Sequence, residues 1–330
     1  MKRKIIKQGH NTLTITLPSD WVKRFNLQGG NEIDLIEKDN GLFLTTEKIN
    51  SIKKAEFDIT GMDIPVIWKY FMSVYREGYD EILVKFHPDT KLDSPHKFFT
   101  YHQLDLRYGK EREKKIAYEV LQEFVSRFIG LEIVKHGEDF VLIKEMGEIS
   151  SKEFDSSLRR VFLILQQMAE ETLEALKTDN PKILQHMHDV DISLDKFHDY
   201  CIRVLNKTNN KEQRKTSLLF SVLYLLELIG DEFKNIALHL INDFPQRKYK
   251  DLIELTESIK RQIDMFYELF YKFDKEKIEN MSAIDKAQYF AVCEMYKKTK
   301  TGEERELFHH LRIISRYINA LTELRVEMEY

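Results

Sequence analysis

The side chains best suited to chemistry stand in residues 223–240, LYLLELIGDEFKNIALHL. Glu227, Asp231 and Asn235 are spaced four apart there. On a helix that spacing drifts only about 40° per step, so three oxygen-bearing groups form one stripe, flanked by Leu226, Leu228, Ile229, Phe233 and Ile236. Carboxylates on such a stripe are costly to bury alone; they must be paired, protonated or bound to a cation. An oxygen-only set suits hard cations such as Mg, Mn or Fe rather than a thiolate site. The same stripe at the edge of a core helix would instead make ordinary hydrogen bonds to solvent or to a neighbouring helix. Residues 186–205 repeat the spacing: Asp191 and Asp195 stand four apart among Ile192, Leu194, Phe197, Ile202 and Leu205.

At these residues the chain resembles the PhoU family of phosphate-signalling helical-bundle proteins. Glu227-Leu-Ile-Gly-Asp231 with Asn235 is similar to the family's E-R-I-G-D metal motif, and Asp191-x-x-x-Asp195 to its other acidic motif. The resemblance implies a divalent or trivalent metal ion, one of Mg, Mn, Fe or Zn. Asp191, Asp195, Glu227 and Asp231 would hold it, with Asn235 in or beside the shell.

The elements that must position these groups follow from composition. A chain of 330 residues with 42% hydrophobic content can bury a sizeable core, and its length allows two or three domains. Six prolines and twelve glycines favour long helices over a turn-rich all-β fold. With no apolar run of about 18 residues and no signal-like start, a cytoplasmic protein without membrane insertion is expected. The two cysteines, Cys201 and Cys293, argue against a disulfide framework. A net charge of −4 gives no global reason to bind nucleic acid, so that role needs a local patch.

Residues 1–30 supply one. Lys2, Arg3, Lys4, Lys7, Lys23 and Arg24 face Asp20 alone, a formal +5, before the chain turns acidic. Leu13, Ile15 and Leu17 alternate with threonines as in a strand, Pro18-Ser19-Asp20 opens a short helix, and a hairpin through Asp39-Asn40-Gly41 follows Gly29-Gly30. This segment resembles the AbrB/SpoVT swapped-hairpin DNA-binding domain: a basic opening strand, the Gly9-His10-Asn11 turn, Leu17-Pro18, a helix through Phe25, and Gly29-Gly30 leading into a strand. Two chains build one small barrel in that family, which implies a homodimer and DNA as a partner. The six cations would then neutralise phosphates, with His10 and Asn11 as base or sugar contacts. A pairing module with merely solvated lysines is the alternative.

From 51 to 150 the pattern is that of a small α/β domain: strands at 53–59 and 81–86, helices at 63–76 and 111–128, and a hairpin at 131–135 and 140–144. His87, His96 and His102 are too scattered to be claimed as ligands. From 151 the chain reads as six helices, at about 152–178, 181–207, 212–242, 247–273, 275–299 and 303–328. Pro181 sits at a helix start and Asp243-Phe244-Pro245 divides two sets of three. The fold class expected is multidomain α+β. Residues 1–50 form the swapped-hairpin half-barrel, 51–150 the small α/β domain, and 151–245 and 246–330 two three-helix repeats of a PhoU-like bundle.

The second repeat departs from the first. Arg312 and Arg316 stand where the acidic pair would be, and Tyr289 where Asp195 would be, with Asp285 surviving as a counterpart of Asp191. A second metal site is therefore not expected, since guanidinium groups cannot ligate a cation. An ion pair with Glu294 or another carboxylate, or capture of an anion such as phosphate, are the roles left to these arginines.

The leading expectation is a non-enzymatic regulator of phosphate uptake or phosphate-responsive transcription that binds metal and DNA. A scaffold acting on a phosphate transporter or kinase is one alternative. A carboxylate-bridged di-metal oxidoreductase is another, but it wants Glu-x-x-His on two helices, and Glu306-Leu-Phe-His309 is the only one here, with Asp195-Lys-Phe-His198 its nearest relative.

Overall fold

The computed structural model describes residues 2–38, 41–46, 52–93, 114–147, 151–208, 213–243, 250–299 and 302–330. The chain divides into two compact units, Met1–Ile52 and Lys53–Tyr330.

The first unit is two hairpins and one helix turn. β1 (Ile6–Gln8) pairs antiparallel with β2 (Thr12–Thr14), α1 spans Ser19–Arg24, and β3 (Asp34–Lys38) pairs antiparallel with β4 (Gly41–Thr45). Gly9 closes the first turn at φ +74°, a conformation that a Cβ would strain. Two residues of the second hairpin's turn, Asp39 and Asn40, lie outside the described residues. The two hairpins form separate two-stranded sheets. None of residues 2–35 and 41–46 is buried. Ile5, Ile6, Leu13, Ile15, Phe25, Leu35, Leu42 and Phe43 are all exposed, Leu42 at 68%.

The second unit opens with a four-stranded sheet in the order β5-β6-β10-β9, built from Lys54–Asp58, Glu81–Lys85, Phe140–Glu145 and Leu131–His136 respectively. β5 and β6 are parallel, joined by α2 (Ile64–Arg76); the other pairs are antiparallel. Asp63 caps α2 by accepting from the Val66 amide at 3.0 Å, and Gly78 at φ +84° ends it. Beyond the sheet, β7 (Lys91–Asp93) pairs antiparallel with β8 (Lys114–Ile116). The helix expected over 111–128 is shorter, α3 (Ala117–Val125), because its first described residues pair as β8. His96 and His102 lie outside the described residues. Phe124 and Phe128 pack directly on Phe71 and Tyr75 of α2, Tyr75 on Phe128 at 4.5 Å, with Trp68 stacked on Phe128 at 5.1 Å.

Long helices follow: α4 (Ser151–Thr178), α5 (Met187–Lys207), α6 (Gln213–Asp243), α7 (Lys250–Tyr271), α8 (Lys275–Lys298) and α9 (Gly302–Glu327). The helix expected from 181 begins instead as a 3-10 turn, Pro181–His186, and becomes α only at Met187. Asp179 in the left-handed region (φ 55°) and the Asn180 amide donating to Ala175 O at 3.0 Å terminate α4, and Pro181 restarts the chain without an amide donor. α4, α5 and α6 form one three-helix set; α7, α8 and α9 form the other, with α4 packed on α7 and α6 on α9.

α5 also ties the bundle to the sheet layer. Arg203, fully buried, donates to Tyr75 O at 2.6 Å, Tyr79 O at 2.8 Å and the Glu145 carboxylate at 2.8 Å. Its planar fork thus adds donors to the Tyr75 and Tyr79 carbonyls at and just past the end of α2. Lys207 pairs with Asp80 and Glu145, and Asn206 donates to Arg76 O at 2.7 Å.

Candidate functional site

Gly230 explains how the two acidic helices meet. A Cβ there would stand 2.9 Å from Leu194 Cδ2, so the glycine lets Leu194 of α5 pack directly against α6 at the level of the acids. Across that seam lie Asp191 and Asp195 on α5 and Glu227 and Asp231 on α6. Asp191 is 2% exposed, and the other three are part-buried.

A cation already stands among them, and it is Lys234. Its Nζ lies 2.6 Å from Asp191 Oδ2 and also pairs with Asp231, three residues earlier on its own helix. Asp191 Oδ1 is buried with no hydrogen-bond partner. Burial raises the Asp191 carboxyl above its ordinary range, opposed by the Lys234 ammonium. Burial raises Asp195 well above that range, and the neighbouring Asp191 and Asp199 charges push it further. Glu227 is pushed up to about 7, first by desolvation and then by Asp231, while Arg76 pulls the other way. More carboxylates are crowded here than the local cations neutralise.

The stripe on α5 is longer than the sequence reading had it. Asp199, one turn past Asp195 and nearly fully buried, takes Arg76 at 2.6 Å and lies 3.1 Å from His198 Nδ1. Asp191, Asp195 and Asp199 repeat every four residues, which was the available signal. Asn235 is part-buried one turn beyond Asp231, and among the described residues no hydrogen bond ties it to the acids.

Do these residues fit a metal? The donor set does: all-oxygen, with one buried carboxylate oxygen lacking a partner and protons favoured where a cation is absent. The present conformation keeps the ammonium of Lys234 between Asp191 and Asp231. Among the described residues, the one grouping of three His, Cys, Asp or Glu side chains with ligand atoms within 4.8 Å of one another lies elsewhere.

In the second set, Ser315 Oγ donates to Gln288 Oε1 at 2.6 Å and lies 3.3 Å from Asp285 Oδ1. Tyr289 is exposed, and Glu294, the carboxylate suggested as an arginine partner, is an exposed group paired at 2.7 Å with Lys297 of its own helix.

In the first unit Lys2, Arg3, Lys4, Lys7, His10, Asn11, Lys23 and Arg24 are all exposed. Lys7 is central in β1, and Lys23 and Arg24 occupy the last turn of α1, where cations complement the helix dipole.

A family model described as antidote-toxin recognition MazE, bacterial antitoxin, matches residues 6–53, and the PhoU domain model matches residues 158–240. The chain thus joins a small β domain of the MazE/AbrB type to a PhoU helical domain. Both families are regulatory: PhoU domains belong to phosphate homeostasis and the MazE/AbrB type to DNA-binding regulators. The PhoU match covers α5, nearly all of α6 and most of α4, that is, the three-helix set that carries the acids. A search of curated proteins returned no match. No helix of the described residues is long and apolar enough to cross a membrane.

Proposed function

We propose that this chain is a cytoplasmic, non-enzymatic regulator of phosphate uptake and phosphate-responsive transcription that reads DNA as a homodimer through its first unit. The observation that carries this reading is the absence of any buried residue among residues 2–35 and 41–46, beside eight exposed large apolar side chains. Covering such a side chain is worth about 1.5–3 kcal/mol, so a second copy closing over them gains on the order of 10 kcal/mol before the cost of association. Pairing also doubles the basic surface to twelve cations from Lys2, Arg3, Lys4, Lys7, Lys23 and Arg24 of each chain.

In the PhoU unit, Asp191, Asp195, Glu227 and Asp231 would hold a hard cation, with Asn235 beside them. When bound, that cation supplies the positive charge that the crowded carboxylates lack. The protein's own part is to position the acids across the Gly230 seam and to withdraw Lys234, whose ammonium competes for Asp191 and Asp231. Cation binding thereby changes how α5 and α6 are held together, and the reading requires that change to bias DNA binding.

The test is the salt dependence of DNA binding by fluorescence anisotropy. Lys7→Ala combined with Arg24→Ala removes four phosphate contacts per dimer and lowers the slope of log K against log salt by about 3–4. Unaltered affinity and slope would contradict the assignment. A second reading, a scaffold acting on a phosphate transporter component or kinase with degenerate metal motifs, is favoured by the Lys234 ion pairs alone. Elemental analysis separates the two: protein purified without added metal and indifferent to chelation supports the scaffold.

A further inference from the structure

Away from the acid seam, α6 and α9 gather three groups that are scattered in the sequence. Ligand atoms of His239 on α6 and of Glu306 and His310 on α9 all lie within 4.8 Å of one another. Glu306 and His310 are four apart, one turn of α9, and α9 packs directly along α6. The imidazoles are part-buried, with ring centroids 5.4 Å apart, and the carboxylate is exposed. The Glu-x-x-His spacing joins Glu306 to His309; in the fold its neighbour is His310.

A second observation gives this grouping a direction. His310 Nδ1 lies 2.5 Å from Glu232 Oε2, and both side chains are largely buried. With the Nδ1 proton donated to that carboxylate, the lone pair of His310 is on Nε2, free for another partner. A carboxylate behind an imidazole is the arrangement that fixes tautomer and ring orientation in metal-ligating histidines. Glu232 is seven residues before His239, hence on the same face of α6.

We propose that His239, Glu306 and His310 form a binding site for a borderline divalent transition ion, zinc foremost, with Glu232 as the positioning residue behind His310. Two imidazoles and one carboxylate suit zinc and its neighbours, not the oxygen-seeking cations expected at the acid seam. In a tetrahedral zinc site with bonds of about 2.0–2.1 Å, ligand atoms stand about 3.4 Å apart. Ligand atoms within 4.8 Å of one another close by no more than about 1.4 Å to reach that spacing, through rotation of the exposed Glu306 side chain and of the two part-buried imidazoles. The fourth position faces solvent and takes water. Because the ligands come from the last helix of each three-helix set, the ion pins the two sets together.

The site shares no ligand with the acid seam, so each can fail without the other. Full-length protein stripped with EDTA is titrated with Co2+, whose visible d–d bands are intense in four- or five-coordinate sites and weak in six-coordinate oxygen sites. One equivalent is expected to give intense bands that Zn2+ abolishes. His310→Ala and His239→Ala lose them, Glu232→Gln weakens binding about 10–100-fold, and Asp191→Asn with Asp231→Asn leaves them intact. Intense bands that survive both histidine substitutions, or that vanish with the aspartate pair, overturn the proposal, as does their absence from the wild type. If circular dichroism shows either histidine variant unfolded, Glu306→Ala at the exposed ligand decides: loss of the bands supports the site, and an unchanged spectrum overturns it.

Discussion

Replacing Glu227 by glutamine tests the crowding of the acid seam on its own terms. The Glu227 carboxyl sits at about 7 against an ordinary 4.5, raised by desolvation and then by Asp231. At about 1.4 kcal/mol per tenfold change in proton affinity, that rise corresponds to about 3 kcal/mol between the two protonation states. Because the folded-state value is raised, the native protein binds more protons than the unfolded chain between pH 4.5 and 7. The contribution is therefore fully present below about pH 4.5 and lost as pH rises through 7. Glutamine carries no such penalty. In EDTA at constant ionic strength, denaturant unfolding followed by circular dichroism should show Glu227→Gln gaining on the wild type from pH 5 to pH 8. The relative gain is about 2–3 kcal/mol. A stability difference that is flat with pH, or that moves the other way, would refute the reasoning.

Lys234→Met removes the ammonium from Asp191 and leaves a buried, unpaired carboxylate; in EDTA at pH 8 unfolding free energy should drop by about 3–5 kcal/mol, and added Mn2+ should restore much of it. Arg203→Met removes buried donors from the Tyr75 and Tyr79 carbonyls and from Glu145, so calorimetry should record a Tm lower by about 10 °C. Leu42→Asp puts a charge on the uncovered β4 face, and sedimentation equilibrium should show the dimer weakened at least 10-fold, whereas unchanged association would mean that face is not the interface.

The long elements were legible because their periodicity is strong. The strand and hairpin of residues 1–46, the βαβ unit and all six long helices follow from alternation, caps and the prolines at 181 and 245. The acid stripes on α5 and α6 were legible for the same reason, since a four-residue spacing defines a helix face. Three features were not. Lys234 lies three residues after Asp231 and reads as a solvent-facing partner; that it crosses to Asp191 depends on how near α5 stands, which Gly230 sets. Arg203 interrupts an apolar run and gives no hint that its partners lie about 58–128 residues earlier in the chain. His239 and His310 are 71 positions apart, and only the packing of α6 on α9 brings them together.

The most direct measurement of the proposed function is DNA affinity with and without cation, made by anisotropy on the full-length protein in EDTA and then in Mn2+. A regulator whose acid seam governs its DNA-binding unit should change its Kd by about fivefold or more, and lose that response in Asp191→Asn with Asp231→Asn. Equal affinity in both conditions, or a response that persists without the two aspartates, would contradict the account.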